Sequence, residues 1–305
     1  MEKDVGSVGE GARVFLVGSS GFLGQRIYDD LKINNEVLGS YFHREPRDVK
    51  NKIRLDITDS NSLEKAITGF GPHYLINCAG MTSVDDCERR PEAAIKLNSI
   101  VPHNLADLAQ KINCQFIHIS TDHFSSILAS PRSEVSKMIP VNQYGYSKLL
   151  GEKLVMSKNA QSLIIRTNFF GLSEVKINTL FQQAVQKLLS GEKVDGATDI
   201  FFNPIGLQSL SDFICKKLKF KSQGLINVAG PSVVSKFDFL ILLCNILGVP
   251  SERVRPVHSD ELEFEAPRPR YMALDTEKLF KKFEFQTPDL LQMIKVELKT
   301  LDTVL

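Results

Sequence analysis

Two groups of residues, far apart in the chain, combine types and spacings suited to chemistry. The first is Gly18-Ser19-Ser20-Gly21-Phe22-Leu23-Gly24, three glycines placed directly after an apolar run and before an amphipathic one. A tight turn there lets backbone N–H groups and a helix N-terminus face a pyrophosphate, which side chains would obstruct. The second is Tyr144-Gly145-Tyr146-Ser147-Lys148, in which Tyr144 and Lys148 share one face of an expected helix. A phenol is a poor acid–base group near neutrality because its pKa lies near 10. A nearby ammonium favours the phenolate, and a nicotinamide's positive charge would add to that. Tyr144 can then protonate the oxygen of a carbonyl that receives hydride, while Lys148 reaches the nicotinamide ribose and Thr121 bonds the same substrate oxygen. Tyr146 has no lysine four residues later and reads as packing or substrate-facing. The combination describes a site that moves a hydride and a proton.

The end of the second strand discriminates between cofactors. A site for NAD would place an Asp or Glu there to grip the ribose hydroxyls. The chain instead reads Ser40-Tyr41-Phe42-His43-Arg44, with Arg47 close behind. A guanidinium and an imidazole beside a hydroxyl suit a 2′-phosphate, so NADP(H) is expected over NAD(H). Farther on, a carboxylate in Asp56-Ile57-Thr58-Asp59 could bond an adenine amino group, although Asp59 could equally belong to a helix N-terminus. Asn77-Cys78-Ala79-Gly80 supplies the small residues that close backbone passage beside a cofactor requires.

The elements that position these residues alternate regularly. Strands are expected at Arg13–Val17, Glu36–Phe42, Lys52–Leu55, His73–Asn77, Gln115–Ser120 and Ser162–Arg166. Helices are expected to about Leu31, from Asp59-Ser60 through Ile67 with Ser60 as N-cap, over Pro91–Ile112 and over Gln143–Ser157. This rhythm defines an α/β fold: a doubly wound parallel Rossmann sheet over residues 12–168, after a disordered lead-in at 1–11. Residues 169–305 read as a smaller C-terminal substrate-binding lobe over the sheet's carboxyl edge, with some chain returning to the first domain. Its helices fall at Ile177–Leu189, Leu207–Lys219, Lys236–Leu247 and Pro288–Lys299, and its short strands near Lys193–Gly196 and Gly224–Val228.

Composition narrows the function classes. The 305 residues carry a formal charge of +1, which argues against nucleic acid as a partner. The dense basic run Lys216, Lys217, Lys219 and Lys221 reads as the solvated end of a helix. Five cysteines without CxxC spacing, Cys78 and Cys244 among them in apolar runs, point to a reducing, cytoplasmic setting rather than a disulfide framework. No apolar stretch approaches the roughly 20 residues needed to span a bilayer. The six histidines are dispersed, so no metal site is expected, and His118, inside a strand, reads as a satisfied buried residue.

The chain resembles the extended short-chain dehydrogenase/reductase family, in the subgroup of dTDP-4-dehydrorhamnose reductase and its relatives. The resemblance begins with the Gly18–Gly24 loop and Asp56-Ile57-Thr58-Asp59. It continues through Asn77 to Asp85, Pro91-Glu92-Ala93-Ala94 with Asn98 after it, and Ile119-Ser120-Thr121-Asp122. Then come Pro140 to Glu152, Arg166-Thr167-Asn168, Phe202-Asn203-Pro204 and Arg268-Pro269-Arg270. It implies Thr121, Tyr144 and Lys148 as the catalytic group, and a nucleotide-activated 4-keto-6-deoxy sugar as substrate. It also implies Asn98 beside the cofactor, and Val84, Asp85, Asp122, His123, Asn168 and Arg268 around the sugar nucleotide; it allows a homodimer. Two departures stand out. The subgroup typically continues its Ser-Thr-Asp with Tyr-Val-Phe-Asp-Gly, whereas this chain reads His123-Phe124-Ser125-Ser126-Ile127-Leu128. His123 also stands where the family's dehydratases carry Glu, which counts against dehydration. The chain is similar, too, to the β subunit of methionine adenosyltransferase, which implies an NADP-binding regulatory subunit without catalysis as the alternative.

Overall fold

The structure is a computed structural model that describes residues 11–46, 48–125, 129–172, 179–218 and 222–299. Residues 1–10 of the expected lead-in, Arg47, Lys219, Lys221, the loop residues Ser126, Ile127 and Leu128, and the start of the helix expected from Ile177 lie outside the described residues.

Seven parallel strands form the central sheet. Six are β1 (Arg13–Val17), β2 (Glu36–Tyr41), β3 (Lys52–Arg54), β4 (Tyr74–Asn77), β5 (Gln115–Ile119) and β6 (Leu163–Thr167), and the seventh spans Gly224–Val228. Buried on both faces, these strands read as nearly unbroken apolar runs such as Val14-Phe15-Leu16-Val17. Alternate side chains feed two cores. Leu16, Ile76, Ile117 and Ile165 point to one face, and Phe15, Leu75, Phe116 and Ile164 to the other.

The strand order is 224–228, β6, β5, β4, β1, β2, β3. The chain runs outward from β1 to β3, then restarts at β4 and runs the other way. This reversal opens a crevice at the carboxyl ends of β1 and β4, where doubly wound sheets take their ligands. The strand at 224–228 completes the sheet instead of serving the smaller lobe alone: it pairs in parallel with β6, Gly224 opposite Leu163 and Val228 opposite Thr167. Pairing there satisfies the backbone of β6, which would otherwise be a bare edge. Helix Leu207–Lys217 returns with it, and the Ser211 hydroxyl donates to Asp30 at 2.6 Å.

Helix α1 (Phe22–Leu31) buries Leu23, Ile27, Tyr28 and Leu31 as one stripe. Helix α2 (Ser60–Phe70) is capped by Asp59, whose carboxylate accepts from the N–H groups of Asn61 and Ser62. The cap is therefore one residue earlier than Ser60, because that carboxylate satisfies two orphan donors. α3 covers Val84–Arg89. The long helix expected over Pro91–Ile112 is interrupted: α4 (Pro91–Ile95) passes through a π turn at Lys96–Ile100 into α5 (Val101–Lys111).

Helix α6 (Gln143–Lys158) packs against that π turn. A Cβ on Gly151 would lie 2.1 Å from the carbonyl oxygen of Asn98, so only glycine allows this approach. Beyond β6, helices Leu180–Leu189, Lys236–Leu247 and Leu290–Leu298 and three two-stranded ladders build the rest. Among the described residues no helix is long and apolar enough to cross a membrane.

Gly151→Ala should destabilise the fold by about 1–3 kcal/mol through overpacking. Gly69→Ala, in α2 with nothing near the added methyl, should instead stabilise by about 0.5–1 kcal/mol. Urea midpoints of the two variants check the contrast.

Candidate active site

The glycine loop leaves β1 in a left-handed turn. Gly18 has φ +82°, and a Cβ there would stand 2.9 Å from the backbone nitrogen of Ala79. The loop is braced from β2, where the Ser40 carbonyl accepts from the Ser19 N–H at 2.8 Å and from the Ser19 hydroxyl at 3.1 Å. Ser40 is itself buried, its hydroxyl 3.4 Å from the Gly18 nitrogen, so it shapes the loop from beneath. Gly21 caps α1 without any side-chain hydrogen bond. The first-turn N–H groups of Phe22, Leu23 and Gly24 thus keep the orphan donors that a pyrophosphate accepts from. Leu23 is buried in the core, and Phe22 stacks on Phe169 with centroids 5.7 Å apart; Ser20 is nearly buried. A cradle that a side chain would fill, beside an uncapped helix N-terminus, fits a dinucleotide.

The basic edge at the end of β2 is exposed. His43 packs edge-on against Phe42, Arg44 extends beside it, and Arg54 from β3 lies 5.6 Å above the Phe42 ring. Arg54 escaped the sequence reading, since it joins the cluster only through the β2–β3 register that sets Tyr41 opposite it. Asp56 accepts from the N–H and hydroxyl of Thr58 at 2.9 and 2.8 Å, which hold its carboxyl below the usual range. Ile57 is half-buried beside it.

Asn77 at the end of β4 accepts from the Ala79 N–H at 3.1 Å, turning the chain through Cys78 and Gly80. Burial pushes the Cys78 thiol up to about 12, which keeps it protonated. Asn98 is committed to the protein: its amide bridges Met81 N and O at 2.8 and 2.9 Å and reaches the Ser147 hydroxyl at 3.0 Å. It holds the loop after β4 against α6 rather than offering a free amide. His118 meets the Asn77 amide at 3.2 Å through Nδ1, yet its buried Nε2 has no partner. It is therefore only half satisfied, and burial keeps it neutral.

Thr121, Tyr144 and Lys148 converge past the end of β5. The Thr121 side chain is the polar neighbour that acts on the Tyr144 phenol. Burial raises the phenol well above its ordinary value, an effect that Thr121 opposes and the Asp122 charge reinforces, so the site holds a protonated phenol. The Lys148 ammonium donates to the Ile119 carbonyl at 2.6 Å. Burial lowers it to about 8, against the pull of Glu152.

Glu152 accepts from the Ser120 hydroxyl at 2.5 Å and from Arg166 at 2.9 and 2.7 Å, a buried ion pair one helical turn beyond Lys148. Asp122 accepts from the Asn168 amide at 2.7 Å, and burial pushes its carboxyl up to about 6 despite that bond, Lys236 and Arg132. Asp85 pairs with Arg268 at 2.8 Å and accepts from the Ala266 N–H at 3.1 Å, with Val84 half-buried alongside. His123 packs edge-on against Tyr144, centroids 5.4 Å apart. Tyr146 faces outward and is 48% exposed.

Sequence reasoning missed Asn142, Lys236, Arg132 and the Glu152–Arg166 pair. Asn142 carried a signal, as a preferred N-cap residue directly before the α6 pattern. Lys236 carried none: its ammonium stands 3.3 Å over the Phe202 ring and acts on Asp122 from a helix far along the chain. Among the described residues no group of three or more His, Cys, Asp or Glu could hold a metal ion.

A dinucleotide cradle and a protonated phenol with a neighbouring hydroxyl and ammonium, at the switch point of a parallel sheet, define an NAD(P)-dependent oxidoreductase of the short-chain dehydrogenase/reductase type. The chain belongs to the RmlD substrate binding domain family, whose model matches residues 12–302. It is 30% identical over 266 residues to a Haloferax volcanii protein named "Probable low-salt glycan biosynthesis reductase Agl14", covering 86% of this chain and 89% of that one. It is 29% identical over 281 residues to methionine adenosyltransferase 2 subunit beta of Xenopus laevis, covering 88% and 82%. Among solved structures, a dTDP-4-dehydrorhamnose reductase from Clostridium acetobutylicum superposes with a TM-score of 0.84 at 27% identity, covering 95% of this chain and 99% of that one.

Asp122 makes stability depend on pH. Its folded pKa of about 6 exceeds the ordinary 3.8, so its contribution is present in acid and lost as pH rises through 6. Asp122→Asn should remove that loss, so that stability falls less between pH 4 and 7.5, by on the order of 3 kcal/mol. Urea unfolding of both proteins at the two pH values measures it.

Proposed function

We propose that the chain is an NADPH-dependent reductase of a nucleotide-activated 4-keto-6-deoxy sugar. The observation that carries this reading is the half-buried Tyr144, its phenol kept protonated by desolvation with the Thr121 side chain acting on it. When bound, the cofactor supplies the hydride that reaches the ketone carbon. Thr121 and Tyr144 hold the ketone oxygen, and Tyr144 gives that oxygen its proton as the alkoxide develops. Lys148 is the nearest buried cation on the same helix; it binds the cofactor ribose and restores the phenol's proton. Gly18 and the N-terminus of α1 take the pyrophosphate. His43, Arg44 and Arg54 favour a 2′-phosphate over a bare ribose. Asp122 and Asn168 orient the sugar, and Arg268 leaves Asp85 to meet the diphosphate.

A second reading has a specific observation behind it, since a relative of nearly equal identity is named methionine adenosyltransferase 2 subunit beta. Purified protein decides between them. With NADPH and dTDP-4-keto-6-deoxy sugars, turnover should appear and fall at least about a hundredfold in Tyr144→Phe, with NADPH binding held within about twofold. Tight NADPH binding, no turnover and a stoichiometric copurifying enzyme would instead establish the regulatory subunit. Arg44→Glu should weaken NADPH binding about tenfold or more and leave NADH unaffected, because only the former carries the 2′-phosphate. Fluorescence titration with each cofactor reads this.

A further inference from the structure

The side-chain amide of Asn142 is oriented by two partners whose roles are fixed by chemistry. The Gly145 N–H only donates, so the atom 2.8 Å from it is the amide oxygen. The Pro267 carbonyl only accepts, so the atom 2.7 Å from it is the amide nitrogen. That same nitrogen lies 3.0 Å from Nε2 of His123. An amide nitrogen donates and never accepts, so Nε2 is the acceptor and carries no proton. A neutral imidazole with a bare Nε2 holds its proton on Nδ1.

The ring stays neutral because it is largely buried and faces cations from several elements. Arg268, Lys236 and Arg132 add to burial in lowering it to about 3. The Asn142 amide and the Tyr144 ring also pack against it. The backbone N–H of His123 donates to the Thr121 hydroxyl at 3.1 Å. The imidazole thus stands beside the Tyr144 ring while the His123 backbone holds the Thr121 hydroxyl, and no described residue is hydrogen-bonded to its Nδ1.

We propose that the Nδ1–H of His123 donates a hydrogen bond to the sugar oxygen vicinal to the ketone, and that Asn142 is the positioning residue that keeps the proton on that nitrogen. The inference rests on the reductase reading above and adds to it the group that reads the 3-oxygen. A neutral donor recognises a hydroxyl without placing a full charge beside the developing alkoxide. The Pro267 carbonyl extends the arrangement: the segment carrying Arg268 is tied through Asn142 to the ring beside Tyr144.

Two measurements test the two halves separately. Nitrogen-15 spectra of the labelled protein report which imidazole nitrogen is protonated, with the His123 signals identified by their loss in His123→Asn. The expected state is Nδ1–H in the wild type, shifting toward Nε2–H in Asn142→Asp, which keeps the cap to Gly145 but presents an acceptor to Nε2. A wild-type proton on Nε2 would overturn the lock.

For the substrate half, His123→Leu should lose about tenfold in kcat/KM. His123→Asn, with an amide N–H in place of Nδ1–H, should stay within about threefold of the wild type. On a 3-deoxy analogue the wild type should fall to the level of His123→Leu. Equal activity of wild type and His123→Leu on both sugars overturns the donor role. If the wild type turns over no sugar, the reductase reading and the donor role fall together, while the nitrogen spectra still decide the tautomer.

Discussion

The closeness of two helices sets the position of the reactive side chains. Where α6 crosses the π turn, Gly151 gives way to the Asn98 carbonyl, and no other residue fits that gap. The π turn supplies what the contact needs. Its extra residue brings Asn98 round to bond Met81 and Ser147, and Ser99 to bond the Ser147 carbonyl at 2.6 Å. Tyr144, Ser147, Lys148 and Gly151 follow the i, i+3, i+4, i+7 spacing of one side of α6. A clamp at Ser147 and Gly151 therefore fixes where their neighbours Tyr144 and Lys148 can reach.

Charge is managed by burial more than by pairing. The phenol is raised, the Lys148 ammonium lowered and the His123 imidazole lowered, all chiefly because water is excluded. The phenol and the imidazole beside the proposed reaction centre are thereby kept neutral, the state in which a proton can be given up to an oxygen gaining charge. One full ion pair, Glu152 with Arg166, sits a turn away and is bonded to Ser120 at the start of the loop that carries Thr121. A buried pair of this kind contributes little net stability, but losing one partner would strand a charge. Its value here is geometric, since it ties the end of β5 to α6 and β6.

Residues from the C-terminal part of the chain act on the site through a few long-range contacts. Asp85 of α3 holds Arg268 and the Ala266 backbone, Arg89 holds Glu265 at 2.5 Å, and Asn142 holds the Pro267 carbonyl. These bonds bring residues 265–268 over the mouth of the crevice. Arg268 is already paired with the Asp85 carboxylate, so any anion that takes its place must offer it more than Asp85 does. Such exchange favours ligands with two or more phosphate oxygens over isolated hydroxyls.

Much of this was legible in the sequence because it is local. Apolar runs of four or five residues fixed the strands, the glycines after β1 fixed the tight turn, and the four-residue spacing of Tyr144 and Lys148 placed both on one side of α6. The family, too, could be read from motifs of consecutive residues. What the sequence left open depends on residues distant in the chain. The π turn looks like ordinary helix until α6 is laid against it. The strand expected near Gly224–Val228 finds its place in the central sheet only once β6 needs a partner. The cap at Asp59 instead of Ser60 turned on which side chain reaches the free N–H groups. Above all, the proton on His123 is placed by an asparagine whose other bond reaches Pro267, and no pattern of neighbouring residues encodes where a returning chain will set its carbonyl. Periodicity and turn chemistry are properties of adjacent residues, whereas burial and donor–acceptor matching arise only once the chain has closed on itself.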